Sequence, residues 1–372
     1  MISMLVFIVI LSILILVHEW GHFITARKCG VKVEQFALGF GPKLFSRVYN
    51  GTEFCLCAIP LGGYVKMAGD ERQKCKGAPE EFFCQPVGKR ALIVLMGPVV
   101  NLVLAYVCFW LMFMIGYVDM DLSAKKVGPT VGQVLAGSPA EKAGLATGDT
   151  VVSINGKTIA QWTDLQDNVT ESTGPLTVIL KRNGETLSKT IVPEEEARKD
   201  IFGRDHRTRR IGVGPLQIKN AEDVVVVRYG FFEAFGRAGR ELVDITVKTY
   251  QALWEMVIGV RSPKEAMGIV GMFFVVKFAL SVSFAFLLHI IGIISASLAI
   301  FNLLPLIPLD GGHLFLFAIE KIRGRALSVM TDQRLAKAGF ALMIMLALYV
   351  FYVDFERIGL IDKVIHIFKP TG

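Results

Sequence analysis

Charge is scarce in this sequence. Asp, Glu, Lys and Arg make up 20% of its 372 residues, and hydrophobic residues make up 53%. A soluble domain carries roughly 25% charge, and here the apolar residues fall in runs instead of alternating with polar ones. That balance excludes a wholly soluble enzyme, and it excludes disorder, which requires low hydrophobicity. No Lys or Arg precedes Arg27. A signal peptide needs positive charge before its apolar core and a small-residue cleavage site after it. The first run has neither and is expected to remain as a helix. Cysteine is absent from the long segment Asp119–Lys277, so no structural disulfide is expected there. No module of interleaved aromatic and basic residues for nucleic acid is present. The net charge of +7, from 40 basic against 33 acidic residues, therefore points to the membrane, because the basic residues flank the apolar runs.

A bilayer span needs about 20 apolar residues, and four stretches qualify. They are Met1 to Thr25, Ala91 to Val118, Phe278 to Leu309 and Ala338 to Val353. The third is too long for one simple span, and Asn302, Pro305 and Pro308 interrupt its end. It reads as a helix to about Phe301 followed by unwound backbone, which at membrane depth must be buried in protein or line a wet cavity. The loop between the first two spans carries Arg27, Lys28, Lys32, Lys43, Arg47, Lys66, Arg72, Lys74, Lys76, Lys89 and Arg90. The loop between the last two carries Lys321, Arg323, Arg325, Arg334 and Lys337. The positive-inside rule makes both loops cytoplasmic and puts the N-terminus, the long central segment and the C-terminal tail outside. Cys29, Cys55, Cys57, Cys75 and Cys84 all fall in the first of these loops. Their spacing is not that of a zinc ribbon, and they read as reduced thiols.

The central segment changes character. Asn155-Gly156 and Asn183-Gly184 are hairpin-turn dipeptides, each after a strand-like run, Thr150–Ile154 and Leu176–Arg182. Ser138-Pro139-Ala140-Glu141 opens a short helix that Gly144 ends, and Trp162 to Val169 reads as a second. This series resembles a PDZ domain over about 70 residues, from Val131 to Lys157 and beyond. Such domains bind peptide ends by strand addition; a bulky lid without ligand is the other reading. The charged stretch Glu194–Arg210, with Arg204, Arg207, Arg209 and Arg210, is assigned to water. Phe231 to Val260 has apolar residues at helical spacing, suited to the membrane interface or to packing on the PDZ-like region.

The motif that carries chemistry is His18-Glu19-Trp20-Gly21-His22. Residues four apart share one face of a helix. Two imidazoles there can hold zinc, with Glu19 as general base on an activated water. Two histidines and a carboxylate inside an otherwise uncharged span demand partners. A catalytic zinc takes three protein ligands, so a third is required. Asp310 stands where prolines end a helix and Gly311 and Gly312 allow close backbone approach, with His313 a rival three residues on. His206, His289 and His366 stand alone and receive no role.

These residues together resemble the site-2 protease family of intramembrane zinc metalloproteases, in its bacterial form. The likeness runs through His18–Phe23, Glu34–Pro42, Ile59–Met67, Gly97-Pro-Val-Val-Asn101, the PDZ-like region and Asn302–Gly312. The resemblance implies a zinc endopeptidase that cuts transmembrane helices. It implies His18, His22 and Asp310 as metal ligands, in preference to His313, and Glu19 as the catalytic glutamate. It implies Asn302 as a holder of substrate backbone, through a side-chain amide that can pair with unwound peptide. Asn101 matches a Gly-x-x-x-Asn motif and is a second candidate for substrate binding. For both asparagines the alternative is polar glue between spans. Thr52–Met67 resembles the family's membrane-associated β-loop, with a hairpin broken at Gly62-Gly63. Two features depart from the pattern: family members often carry two PDZ domains where one is readable here, and Ile269 stands where a proline is common.

The expected fold is a multi-pass α-helical membrane protein of about four transmembrane helices, with a membrane-associated β-loop and an inserted extracytoplasmic α+β PDZ-like domain. Its expected parts are an N-terminal membrane core (1–118), the PDZ-like domain (126–195), a connector with an amphipathic helix (196–277) and a C-terminal membrane core (278–372). The implied setting is a bacterial inner membrane. Implied substrates are single-pass membrane proteins already trimmed outside, such as anti-sigma factors of stress responses, and remnant signal peptides. Expected partners are the substrate, peptide ends at the PDZ-like domain and the lipid bilayer, with no nucleic acid. The rival from another class is a zinc-free membrane scaffold working through the PDZ-like domain. A transporter is disfavoured, because the spans show no inverted repeat.

Overall fold

The computed structural model describes residues 2–72, 75–118, 128–199, 205–215, 226–326 and 328–357. Lys74, Arg204, the start of the expected PDZ-like domain at 126–127 and the C-terminal tail with His366 lie outside the described residues, as do the side chains of His206 and Arg207. The chain divides into two compact units, Met1–Ile115 with Tyr229–Gly372, and Gly116–Arg228.

The first unit is built on helices. They are α1 (Ile2–Lys28), α2 (Val87–Ile115), α5 (Phe231–Val257), α6 (Ile269–Val282), α7 (Phe284–Asn302), α8 (Asp310–Arg323) and α9 (Val329–Arg357). Four of them, α1, α2, α7 and α9, are long and apolar enough to cross a membrane. Between apolar helices in lipid, small residues let backbones approach closely. Gly21 of α1 is such a point: a Cβ there would lie 2.3 Å from the Met96 carbonyl oxygen of α2. Gly292 of α7 likewise receives the Phe109 ring, which a Cβ would meet at 2.4 Å. The expected third span is not continuous. Ser283 adopts an extended conformation between α6 and α7, and its hydroxyl accepts from the Phe286 N–H at 3.1 Å. A serine that caps a helix start divides what hydropathy alone merges. Asp354 of α9 is buried and accepts from the N–H groups of Gly268, Val270 and Gly271, which closes the open start of α6.

The β-loop is larger than the expected hairpin within Thr52–Met67. β1 (Val33–Tyr49) and β2 (Thr52–Met67) are joined by Asn50-Gly51, both at positive φ. Each long strand bends. Residues 43–49 pair with 52–57, while Gln35–Leu38 lies between Glu53–Leu56 and Gly63–Lys66. Gly39, Gly41 and Gly62 supply the positive φ values at the bends. The segment 63–66 is therefore an edge.

The second unit begins with β3 (Tyr117–Val118) and ends with β12 (Val226–Val227), which pair with each other. Between them come β4 (Val131–Val134), α3 (Pro139–Lys142), β5 (Thr150–Ile154), β6 (Lys157–Thr158), α4 (Trp162–Thr170), β7 (Leu176–Arg182), β8 (Glu185–Ile191), β9 (Glu194–Lys199), β10 (Asp205–Arg210) and β11 (Val213–Pro215). The central sheet runs β6-β5-β7-β8. Inward-facing Leu176, Val178 and Leu180 alternate along β7 and join Val131, Val151, Ile154 and Ile191, none more than 1% exposed. Burial of each such side chain stabilises the unit by about 1.5–3 kcal/mol. The Asn-Gly turns and both short helices stand where the sequence puts them. The boundary does not: β11 pairs with β4, and Ile211 lies in the same core. The unit thus extends past 195, and the charged stretch contains the hairpin β9–β10. α5 belongs to the first unit, where Tyr106 and Trp110 of α2 donate to its Phe235 and Phe231 carbonyls.

Candidate active site

α1 puts His18 and His22 one turn apart on the face turned to α2, and both are buried, at 7% and 8% exposure. α7 stops at Asn302, and the segment 303–309 turns back over the start of α8. Its turns are held by backbone bonds from Leu304 to Phe301, Leu306 to Leu304 and Leu309 to Leu306. The two glycines after Asp310 are required by this turn. A Cβ at Gly311 would lie 2.2 Å from the Leu303 carbonyl oxygen, and one at Gly312 2.6 Å from the Ile307 nitrogen. The turn delivers Asp310 to the histidines. Its Oδ2 lies 3.1 Å from His18 Nε2 and 3.4 Å from His22 Nε2, and the two Nε2 atoms are 3.2 Å apart.

Glu19 stands on the same turn of α1, beside the edge segment of the β-loop. Gly63 of the same segment passes so close that a Cβ would lie 3.3 Å from Glu19 Cγ. Behind the histidines, the Ile93 carbonyl of α2 faces His22 Nδ1 at 2.9 Å.

A family model for peptidase family M50 matches residues 6–346. The chain belongs to peptidase family M50. Among its relatives, the "Putative zinc metalloprotease" of Clostridium acetobutylicum is 34% identical over 353 residues, covering 95% of this chain and 97% of that one. The protein of the same name in Rhizobium meliloti is 33% identical, covering 94% of this chain and 95% of that one. Protease RseP of Yersinia pestis is 30% identical, covering 96% and 99%. Among solved structures, the HtrA3 PDZ domain bound to a phage-derived ligand aligns over 18% of this chain and 61% of that one, at 31% identity and a TM-score of 0.18. A score that low leaves the fold of the small unit to be read from its own strands.

In this M50 chain the donor set suits a metal. His22 Nδ1 must carry the ring proton, because a carbonyl oxygen only accepts, and Nε2 is then a lone pair. Asp310 Oδ2 is buried and has no hydrogen-bond partner. Acceptors converging in a buried place repel unless a cation lies among them. Their spacings of 3.1–3.4 Å match the edge of a tetrahedron with zinc bond lengths of 2.0–2.1 Å, roughly 3.3–3.4 Å. His313, the rival third ligand, is not in the cluster; its ring lies 6.5 Å from that of Phe317.

The two asparagines differ. Asn302 ends α7 half-buried, and its Nδ2 donates to Leu298 within its own helix at 3.0 Å. Asn101 is fully buried, with Nδ2 3.4 Å from His18 Nδ1. The amide lies behind a ligand candidate. The sequence also left His289 alone, whereas its Nε2 lies 3.0 Å from Glu241 of α5. Partners that reach across separate helices leave no local signal.

The helices that build the site are tied together at one end. Glu320, on the last turns of α8, accepts from Arg90 Nη2 of α2 at 2.6 Å and from Arg72 Nη2 at 2.5 Å. Arg90, and then Arg72, hold the Glu320 carboxyl below its ordinary range against the opposing effect of burial. Arg90 is itself buried and lies over the Phe317 ring. The sequence reading took both arginines only as orienting charge.

Proposed function

We propose that this membrane metalloprotease of family M50 hydrolyses peptide bonds within the bilayer, in the transmembrane segments of single-pass proteins. The observation that carries the reading is the convergence of three donors, two of which, His18 and His22, lie with Glu19 on a helix long and apolar enough to cross a membrane. In this reading His18, His22 and Asp310 hold zinc. Zinc, when bound, supplies a Lewis acid for the scissile carbonyl and a water acidified toward neutrality. Glu19 takes the proton of the attacking water and passes it to the leaving amine. The close passage of Gly63 keeps the Glu19 side chain against the β-loop. The Ile93 carbonyl keeps the His22 proton on Nδ1.

A peptide bond in an intact helix is shielded, so the substrate must be drawn out before cleavage. The edge segment 63–66, beside Glu19, offers backbone groups for strand addition to an extended chain. Asn302, at the unwound end of α7, would hold freed substrate backbone through its side-chain amide.

The basic loops between the spans favour an orientation with the β-loop in the cytoplasm. The N-terminus, the unit Gly116–Arg228 and the C-terminus are then outside a bacterial inner membrane. The strand and helix order of that unit supports a PDZ-like module that takes peptide ends or blocks untrimmed proteins. Substrates of this kind are externally trimmed anti-sigma factors and remnant signal peptides. The test is to incubate the purified chain with a trimmed single-span reporter in liposomes and to sequence the product ends by mass spectrometry. New ends inside the apolar segment are expected; ends only in the water-exposed flanks would overturn intramembrane cleavage.

A further inference from the structure

We infer that Asn101 is a positioning residue for His18, its side-chain oxygen accepting the His18 Nδ1 proton and so turning an unprotonated Nε2 into the metal cluster. The inference rests on the reading that His18 Nε2 binds the metal.

One face of α2 forms the back wall of the site, through residues spaced one helical turn apart. Ile93 puts its carbonyl 2.9 Å from His22 Nδ1. Gly97, four residues on, lies against both rings: a Cβ there would be 2.3 Å from His22 Nε2 and 2.9 Å from His18 Cε1. Asn101, four further on, reaches His18 Nδ1 at 3.4 Å. The Gly-x-x-x-Asn spacing thus places a gap for two imidazoles beside a polar group for one of them. His22 is held by a carbonyl, which fixes its tautomer. Asn101 is the corresponding group for His18.

The direction of that contact follows from chemistry. A neutral imidazole carries one N–H, and a metal takes the other nitrogen. With Nε2 turned toward Asp310 Oδ2 at 3.1 Å, the proton belongs on Nδ1, which then needs an acceptor. The amide offers one in Oδ1, which is buried and otherwise unpartnered. The two ends of an amide exchange by a half-turn about the last side-chain bond, so Oδ1 reaches the Nδ1 proton without moving the helix. The backbone of Asn101 is anchored separately, its carbonyl accepting from the buried Ser295 hydroxyl of α7 at 2.8 Å. The side chain therefore remains available to the imidazole. Partners of this kind behind a ligating histidine contribute 10–100-fold to metal affinity.

The test measures zinc affinity of the full chain in detergent by chelator competition, for wild type, Asn101→Leu, Asn101→Asp and His18→Ala. Asn101→Leu keeps the volume and removes the acceptor; Asn101→Asp keeps the acceptor and removes the donor. The expected result is about 10–100-fold weaker zinc binding in Asn101→Leu and near wild-type binding in Asn101→Asp, with His18→Ala weakest. Thermal midpoints of the zinc-stripped proteins separate a folding defect from a lost acceptor, since the inference expects Asn101→Leu to match wild type there. Equal affinity in Asn101→Leu and wild type would overturn the assignment, as would equal losses in the Leu and Asp variants. A raised KM at unchanged zinc affinity would return Asn101 to substrate binding. If His18→Ala bound zinc as wild type does, the ligand reading itself would fall and the role of Asn101 with it.

Discussion

Asp149 in the small unit is a buried acid and Asp310 in the helical unit a part-buried one with a shielded Oδ2, and they are built for opposite ends. Asp149, 1% exposed, takes Arg182 Nε and Nη2 on its two oxygens at 2.7 and 2.8 Å, and the Ala146 N–H at 2.9 Å. Its bonds are complete, as a buried ion's must be if it serves stability. Asp310 turns Oδ2 to two imidazole nitrogens and has no hydrogen-bond partner for it. A fold that satisfies one buried carboxylate so fully and leaves another open is keeping the second for something that arrives from outside. The contrast lies in the partners of each carboxylate: Asp149 is closed by an arginine and a backbone N–H, while Asp310 Oδ2 faces only imidazole nitrogens.

The largest expected effect that can break the contrast is at Asp310. Asp310→Asn should weaken zinc binding by more than about 100-fold, beyond what a supporting residue contributes, as measured by chelator competition. Unchanged affinity would make Asp310 as structural as Asp149. Gly97→Ala comes next. Its Cβ would meet His22 Nε2 and His18 Cε1 at 2.3 and 2.9 Å, so the rings must shift, and a loss of affinity on the order of 10-fold or more is expected. Zinc retained at wild-type strength would show that the wall of α2 is not in contact with the ligands. Smallest is Asp149→Asn, which should destabilise the small unit by about 1–3 kcal/mol and leave zinc untouched. Hydrogen exchange of β5 and β7 in the full chain reads it.

The same acid carries a pH signature. Arg182 holds the Asp149 carboxyl below its ordinary 3.8, against burial. A depressed carboxylate contributes stability that is complete above the unfolded value and is lost as pH falls through the folded one. Protection of β5 and β7 should therefore fall on acidification below 3.8, and Asp149→Asn should flatten that fall. An equally steep loss in the variant would assign it to other groups.

Much of this was legible in the sequence. His18, Glu19 and His22 are adjacent on one helix turn, so spacing alone places them together. The Asn155-Gly156 and Asn183-Gly184 turns declare themselves, because a positive φ selects those residues. What escaped is non-local. The pairing of residues 35–38 between two parts of β2 and the return of β11 to β4 leave no periodic trace. Hydropathy averages over Ser283, so the break between α6 and α7 disappears from it. Asn101 was legible as polar and its spacing from Gly97 was legible too. Its neighbour His18, 83 residues away, was not.

The central claim is that Glu19 acts as base on a peptide bond at a zinc site formed by His18, His22 and Asp310. The most direct measurement is cleavage of the single-span reporter by purified wild type and Glu19→Gln, with zinc quantified in both. The account predicts equal zinc and a fall in cleavage on the order of 100-fold or more in the variant, within the 10²–10⁴ range of a lost general base. Undiminished cleavage by Glu19→Gln at equal zinc would contradict it.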